Sequence, residues 1–141
     1  MKQHTALVEA RVKSLPAFAS KTWVSLVPRD ASGNPIPTPP YVVLHPSDGT
    51  DTSERVTGPR AWQHPRFTLH VVGSSYASLG LAVEALKARF IVSGVPLPII
   101  IAGERARNFF WSSPVPIQVD NDITPPLLYQ VIELGWTAEP I

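Results

Sequence analysis

The 141 residues make one domain's worth of chain, and the absence of cysteine excludes disulfides and thiolate metal sites. Charged residues are only 16% of the chain and the formal net charge is +1, which argues against a nucleic-acid grip built on a basic stripe. No apolar run approaches the roughly 18–20 residues needed to cross a bilayer. The N-terminal segment carries Glu9 and Lys13 and has no signal-peptide core, so the chain is expected to be soluble and to work in the compartment that makes it.

In chain order, His4 to Ser14 reads as a helix. Val8, Val12 and Leu15 form a narrow apolar stripe, Glu9, Arg11 and Lys13 face water, and Pro16 stops it. So narrow a stripe places the helix on the outside of something larger. Thr22 to Val27 has strand composition, and Asp30-Ala31-Ser32-Gly33-Asn34 is a turn by its chemistry. Sixteen prolines, roughly twice the average usage, cluster at 35–40, 96–98, 114–116 and 125–126, between segments that read as ordered. Proline continues neither helices nor central strands, so these clusters mark rigid connections. A hydrophobic content of 44% argues against a disordered chain. Tyr41 to Leu44 is then a short strand closed by Pro46.

Residues 47–65 are polar, with Trp62 the one large apolar residue and only weak strand propensity at Glu54–Thr57. A loop of this length within a compact domain is usually functional, or ordered by what binds it. The strongest local pattern follows. Phe67, Leu69 and Val71 alternate with Thr68 and His70, Ser74 or Ser75 is placed to cap a helix, and the period changes to that of a helix from Tyr76 to Phe90. Leu79, Ala82, Val83, Leu86 and Phe90 share a face, and Gly94 stands where a helix stop is expected. Beyond it, Ile99–Ile101 is a very short apolar run and Gly103 to Arg107 a polar turn. Asn108–Ser112 and Val115–Val119 are strands, Asp120-Asn121-Asp122 is a turn, and Leu127 to Trp136 is a long strand with Leu128, Ile132, Leu134 and Trp136 in phase. Two helices and five or six strands make a single α+β domain over 1–141, a largely antiparallel or mixed sheet with both helices packed on it.

No motif in the chain carries catalysis. The four histidines, at 4, 45, 64 and 70, pair neither with one another nor with a carboxylate at helical ligand spacing, and a metal site would need three or four ligands converging from unrelated segments. Asp48 to Glu54 has the look of a calcium loop but lacks its carboxylate alternation and sixth-position glycine, and reads as a solvated turn, as does 120–122. Gly73-Ser74-Ser75 is explained by a helix cap, since no phosphate-loop glycine pattern or nucleophile elbow occurs. No catalytic, cofactor-binding or metal-binding residue is therefore assigned. Two features stand out. Leu81, Ala85 and Ala88 line the back of the main helix, either as ordinary surface apolar residues or as a close-packed subunit contact. Trp62, Trp111 and Trp136 lie in or beside proline-stiffened segments, either as core with rigid turns or as clamps on a neighbour.

The order of a helix, a proline-rich link into Pro-Tyr-Val-Val-Leu (40–44), a polar loop, the strand Phe67-Thr68-Leu69-His70-Val71-Val72, an alanine-rich helix over 76–91 and a last strand ending in Gly135-Trp136 resembles the tail terminator (tail completion) proteins of long-tailed bacteriophages. The resemblance implies a non-enzymatic virion protein without cofactors, located at the tail and neck and assembled in the host cytoplasm. It implies a ring, typically a homohexamer, that caps the tail tube, stops its polymerisation and joins it to the head-side connector. Its partners would be copies of itself, the tail tube protein and a neck protein, with DNA passing through without specific binding and no membrane involved. A cyclic ring joins two unlike patches of each subunit. Leu81, Ala85, Ala88, Trp111 and Trp136 are the candidate subunit contacts, and Asp48, Asp51, Glu54, Arg55, Arg60 and Trp62 the candidate tube-docking or channel residues. The alternatives are another neck component, such as a head-closure protein, and a small enzyme or ligand-binding domain with a pocket under the 47–65 loop.

Overall fold

The computed structural model describes residues 2–47, 51–53, 61–122 and 126–141. Helix α1 (Lys2–Lys13) is followed by a 3-10 turn (Pro16–Phe18) and strand β1 (Thr22–Val24). Strands β2 (Tyr41–Ser47), β3 (Asp51–Ser53), β4 (Ala61–Gln63) and β5 (Arg66–Gly73) come next, then helix α2 (Tyr76–Lys87). The rest is β: β6 (Ile91–Val92), β7 (Val95–Pro96), β8 (Glu104–Ser112), β9 (Gln118–Asp120) and β10 (Leu127–Pro140). The α+β class is as expected from the sequence.

The sheet is built on β10. Leu128 to Gly135 pairs antiparallel with β5, and Ala138 continues the same register onto Gln63 of β4. The other edge of β10 takes β9 at Leu127–Tyr129 and β8 from Glu133 to Pro140. Outward from β5 lie antiparallel β2 and then parallel β1, and β3 pairs with β4. Eight strands among the described residues thus join one sheet, with β6 and β7 forming a separate hairpin. Pro46 does not close β2, because the strand runs on to Ser47. Val42 donates its N–H to Lys21 and Leu44 accepts from Ser25, so the even positions of β2 turn their backbone groups toward β1. β1 ends opposite Leu44, which leaves the proline nitrogen facing an open edge where no ladder bond is lost.

Both helices cover one face. Val8 and Val12 of α1, Phe18 of the 3-10 turn, Leu79 and Leu86 of α2, and Phe90 pack on Leu44, Leu69, Ile132, Leu134 and their in-phase neighbours. Ser75 caps α2 by accepting from the Ser78 N–H at 3.2 Å, while the Ser78 hydroxyl accepts from the Ser75 N–H at 3.3 Å. Gly73 lets the strand run this close to the helix, since a Cβ there would meet Leu79 Cβ at 2.9 Å.

Several details correct the sequence reading. Gly94 does not stop the helix, which ends at Lys87; Ser93 and Gly94, both with positive φ, form the turn of the β6–β7 hairpin. Gly103 is in a turn, but Glu104 to Arg107 belong to β8, because the extension of β10 past Trp136 supplies them with a partner. Arg11 does not face water freely. Its guanidinium lies 5.7 Å from the Phe90 ring centroid and donates to the Pro98 carbonyl, and burial lowers its pKa. The weak strand expected at Glu54–Thr57 lies outside the described residues.

Candidate functional site

The residues singled out as subunit contacts separate into two groups. Leu81 is 69% exposed and, with Ala85, lines a shallow apolar depression of about 420 Å³ between α2, the 3-10 turn and Pro40. Ala88 is exposed at the C-cap of α2 and lies outside that depression. Trp111 is half-buried, its ring 5.5 Å from that of Phe90 at the edge of the core. Trp136 is different. It is 3% exposed, stacked on Phe67 at 5.6 Å and edge-on to His4 at 5.9 Å, so it belongs to the chain's own core and offers no surface to a neighbour. Its place follows from the alternation along β10, which buries every second residue from Ile132 to Ala138.

Of the candidate tube-docking or channel residues, Asp48, Glu54, Arg55 and Arg60 lie outside the described residues. Asp51 opens β3 opposite Gln63, and Trp62 is half-buried on β4 opposite Thr52. The stretch expected to be a loop therefore contains a two-stranded stem. A second exposed apolar group follows α2: Val92, Val95 and Ile100, the last 83% exposed.

The sheet face away from the helices carries the largest surprise. Tyr41, Val43 and Val72 form a small buried cluster there with Trp23, Val27, Leu127 and Tyr129 packed against it. The segment after β1 rises as a wall beside it, held by the Arg29–Pro35 bridge and by an Asp30 carboxylate that accepts from the Ser32 and Asn34 N–H groups. Between that wall and the sheet is a cavity of about 370 Å³, floored by Tyr41, His45, His70 and Tyr129 and flanked by Arg29 and Asp120. The ligand-binding alternative placed a pocket under the 47–65 loop; this cavity lies instead beneath the 25–35 segment.

Its chemistry is polar on an apolar floor. The His45 and His70 rings are 4.8 Å apart between centroids, and Tyr129 is 5.8 Å beyond His70. Burial, and then the charge of His45, lowers the His70 pKa. Burial raises that of Tyr41, with Arg29 opposing and Asp120 adding to the rise. A search at helical spacing misses this pair because the two histidines are diagonal neighbours across antiparallel strands: His70 is opposite Val43, two residues from His45. The alternation of Tyr41, Val43 and His45, and of His70 and Val72, was the available signal. Among the described residues no group of three or more His, Asp or Glu side chains converges as a metal cage, and no helix is long and apolar enough to cross a membrane.

Comparison of the sequence with protein-family profiles and with curated proteins finds no match. The structure does resemble solved chains. A chain in the solved structure of the "Virion of native gene transfer agent (GTA) particle" superposes with a TM-score of 0.55 over 95% of this chain and 85% of that one, at 15% identity. The two share a fold.

Proposed function

We propose that this protein is a structural component of a phage-like virion, and within it a tail terminator. It forms a ring on the end of the tail tube, stops further polymerisation and presents its other side to the head-side connector. The observation that carries this reading is the fold shared along nearly the whole chain with a chain of a virion particle. A ring needs two unlike patches that meet in a heterologous contact, and Leu81 with Ala85 on α2 and the exposed Val92, Val95 and Ile100 after it are two of the apolar surfaces, among the described residues, that this reading takes for them. The 47–65 segment, with its β3–β4 stem, is the tube- or channel-facing element in this reading. The role is architectural and needs no bond-making step.

The test is assembly. Light scattering and negative-stain microscopy of the full chain, alone and with tail tube protein, should give a closed ring, or a ring templated on tube ends, and tubes of limited length. Tubes that grow unchecked in its presence, with the chain monomeric throughout, would overturn the proposal. Binding to the connector face but not to tube ends would favour a head-closure protein instead. Reversing the charge of Arg55 and Arg60 should disturb tail length or joining if that segment docks as proposed.

A further inference from the structure

We infer that the cavity on the helix-free face of the sheet binds a small planar molecule with an acidic group at one end and a hydrogen-bond donor at the other. Three features of the lining, each from a different part of the chain, carry the inference. The first is the floor. His45, His70 and Tyr129 stand in a row across β2, β5 and β10, with successive ring centroids 4.8 and 5.8 Å apart. All three are half-buried, so each ring keeps exposed area for a flat ligand to cover, and the buried Val43 and Val72 form an apolar base beside them. A volume of about 370 Å³ lies in the range of small-molecule sites, whose usual composition is an apolar floor with a few placed polar groups.

The second feature is Arg29. Its Nη1 donates to the Gly33 carbonyl at 2.7 Å, which holds the guanidinium on its own wall of the cavity. Its remaining donors have no partner among the described residues, and a guanidinium takes a carboxylate or phosphate through two parallel bonds. The third is Asp120. It stands on β9, beyond β10, whereas Arg29 follows β1 at the other end of the strand order. Among the described residues the two form no ion pair with each other, although the charges of both reach the Tyr41 hydroxyl on the floor. A lining with one cation and one anion that do not neutralise each other suits neither a simple anion nor a metal ion. It suits a molecule that brings an acid to Arg29 and a donor to Asp120 while its ring covers the platform between them.

The test titrates the full chain at neutral pH with two probes, 4-aminobenzoate, whose acid is a carboxylate, and uridine monophosphate, whose acid is a phosphate. At least one should bind saturably, with one equivalent by calorimetry, and which one does so identifies the acid. In the unmodified chain the bound probe should shift the amide signals of Val43, Val72 and Leu127 first, a readout that does not depend on any variant folding. Arg29→Gln should weaken that probe at least about tenfold, as loss of a charged hydrogen-bond partner does. Arg66→Gln, an exposed cation outside the cavity lining, should leave its affinity unchanged. No saturable binding of either probe at millimolar concentration, wild-type affinity in Arg29→Gln, or shifts centred on another surface would overturn the site. Ring formation on tail tubes is measured without either probe, so failure here leaves the assembly reading standing.

Discussion

His4 Nε2 lies 2.7 Å from Glu104 Oε2, joining the first turn of α1 to the first residue of β8 across a hundred positions of sequence. The histidine is fully buried, its Nδ1 has no partner among the described residues, and its ring meets Trp136 edge-on. The Glu104 carboxylate also accepts from Gln3 Nε2 at 3.3 Å, so it fastens the N-terminal helix to the far end of the sheet through two side chains of the helix. Glu104→Ala leaves the imidazole unpartnered in a dry site and should lower stability by about 2 kcal/mol. Urea unfolding is the measurement. A midpoint unchanged from wild type would show that the helix is held by its valines and by Arg11 on Phe90 and Pro98, without help from Glu104.

Gly135 is the most closely enclosed glycine among the described residues. It is opposite Arg66 on one side and Phe110 on the other, and a Cβ there would lie 2.6 Å from the Pro65 carbonyl and 2.9 Å from the Phe110 ring. Backbone as well as side chain must give way, so Gly135→Ala should cost about 1–3 kcal/mol, as overpacking does. Chemical denaturation of the variant checks it, and a loss below about half a kilocalorie would mean that the packing of β10 against Pro65 and β8 is softer than its spacing implies.

Leu81 and Trp136 should behave oppositely under truncation or charge. Trp136→Ala removes a stacked core ring and should destabilise the isolated chain by about 3–5 kcal/mol. Leu81→Lys alters an exposed side chain and should change stability by no more than about 0.5 kcal/mol, yet prevent ring assembly if the α2 groove is a subunit contact. Thermal melts paired with light scattering separate the two effects. Full assembly by Leu81→Lys would remove α2 from the interface.

Tyr41 sets an alkaline limit on stability. Burial disfavours its phenolate, so the folded chain keeps the proton above a pH of about 10, where the unfolded chain has released it. The folded state then binds more protons than the unfolded one, and stability falls as pH rises through that region while staying unaffected near neutrality. Tyr41→Phe should flatten this limb of a stability–pH profile. An identical alkaline profile in the variant would assign the loss to other groups.

Much of the fold was readable from residue pattern. The alternation at 67–72, the serine cap and the helical period after Tyr76 are local features, set by backbone geometry within a few residues, and they reappear as β5, the Ser75 cap and α2. Gly94 and the 104–107 segment were misread because a glycine suits a hairpin turn as well as a helix end, and a polar run becomes strand once a partner edge is available. Trp136 was offered as a contact because an aromatic near the end of a chain has the same letter whether it is buried or displayed.

The amino-acid order alone determined the α+β class and the identity of the central strand–turn–helix, because periods of 2 and 3.6 are properties of a single segment. Which segments meet was decided in three dimensions. The pairing of His4 with Glu104, the diagonal approach of His45 to His70 and the burial of Trp136 all depend on the register of strands far apart in sequence, and register is fixed by how whole faces pack.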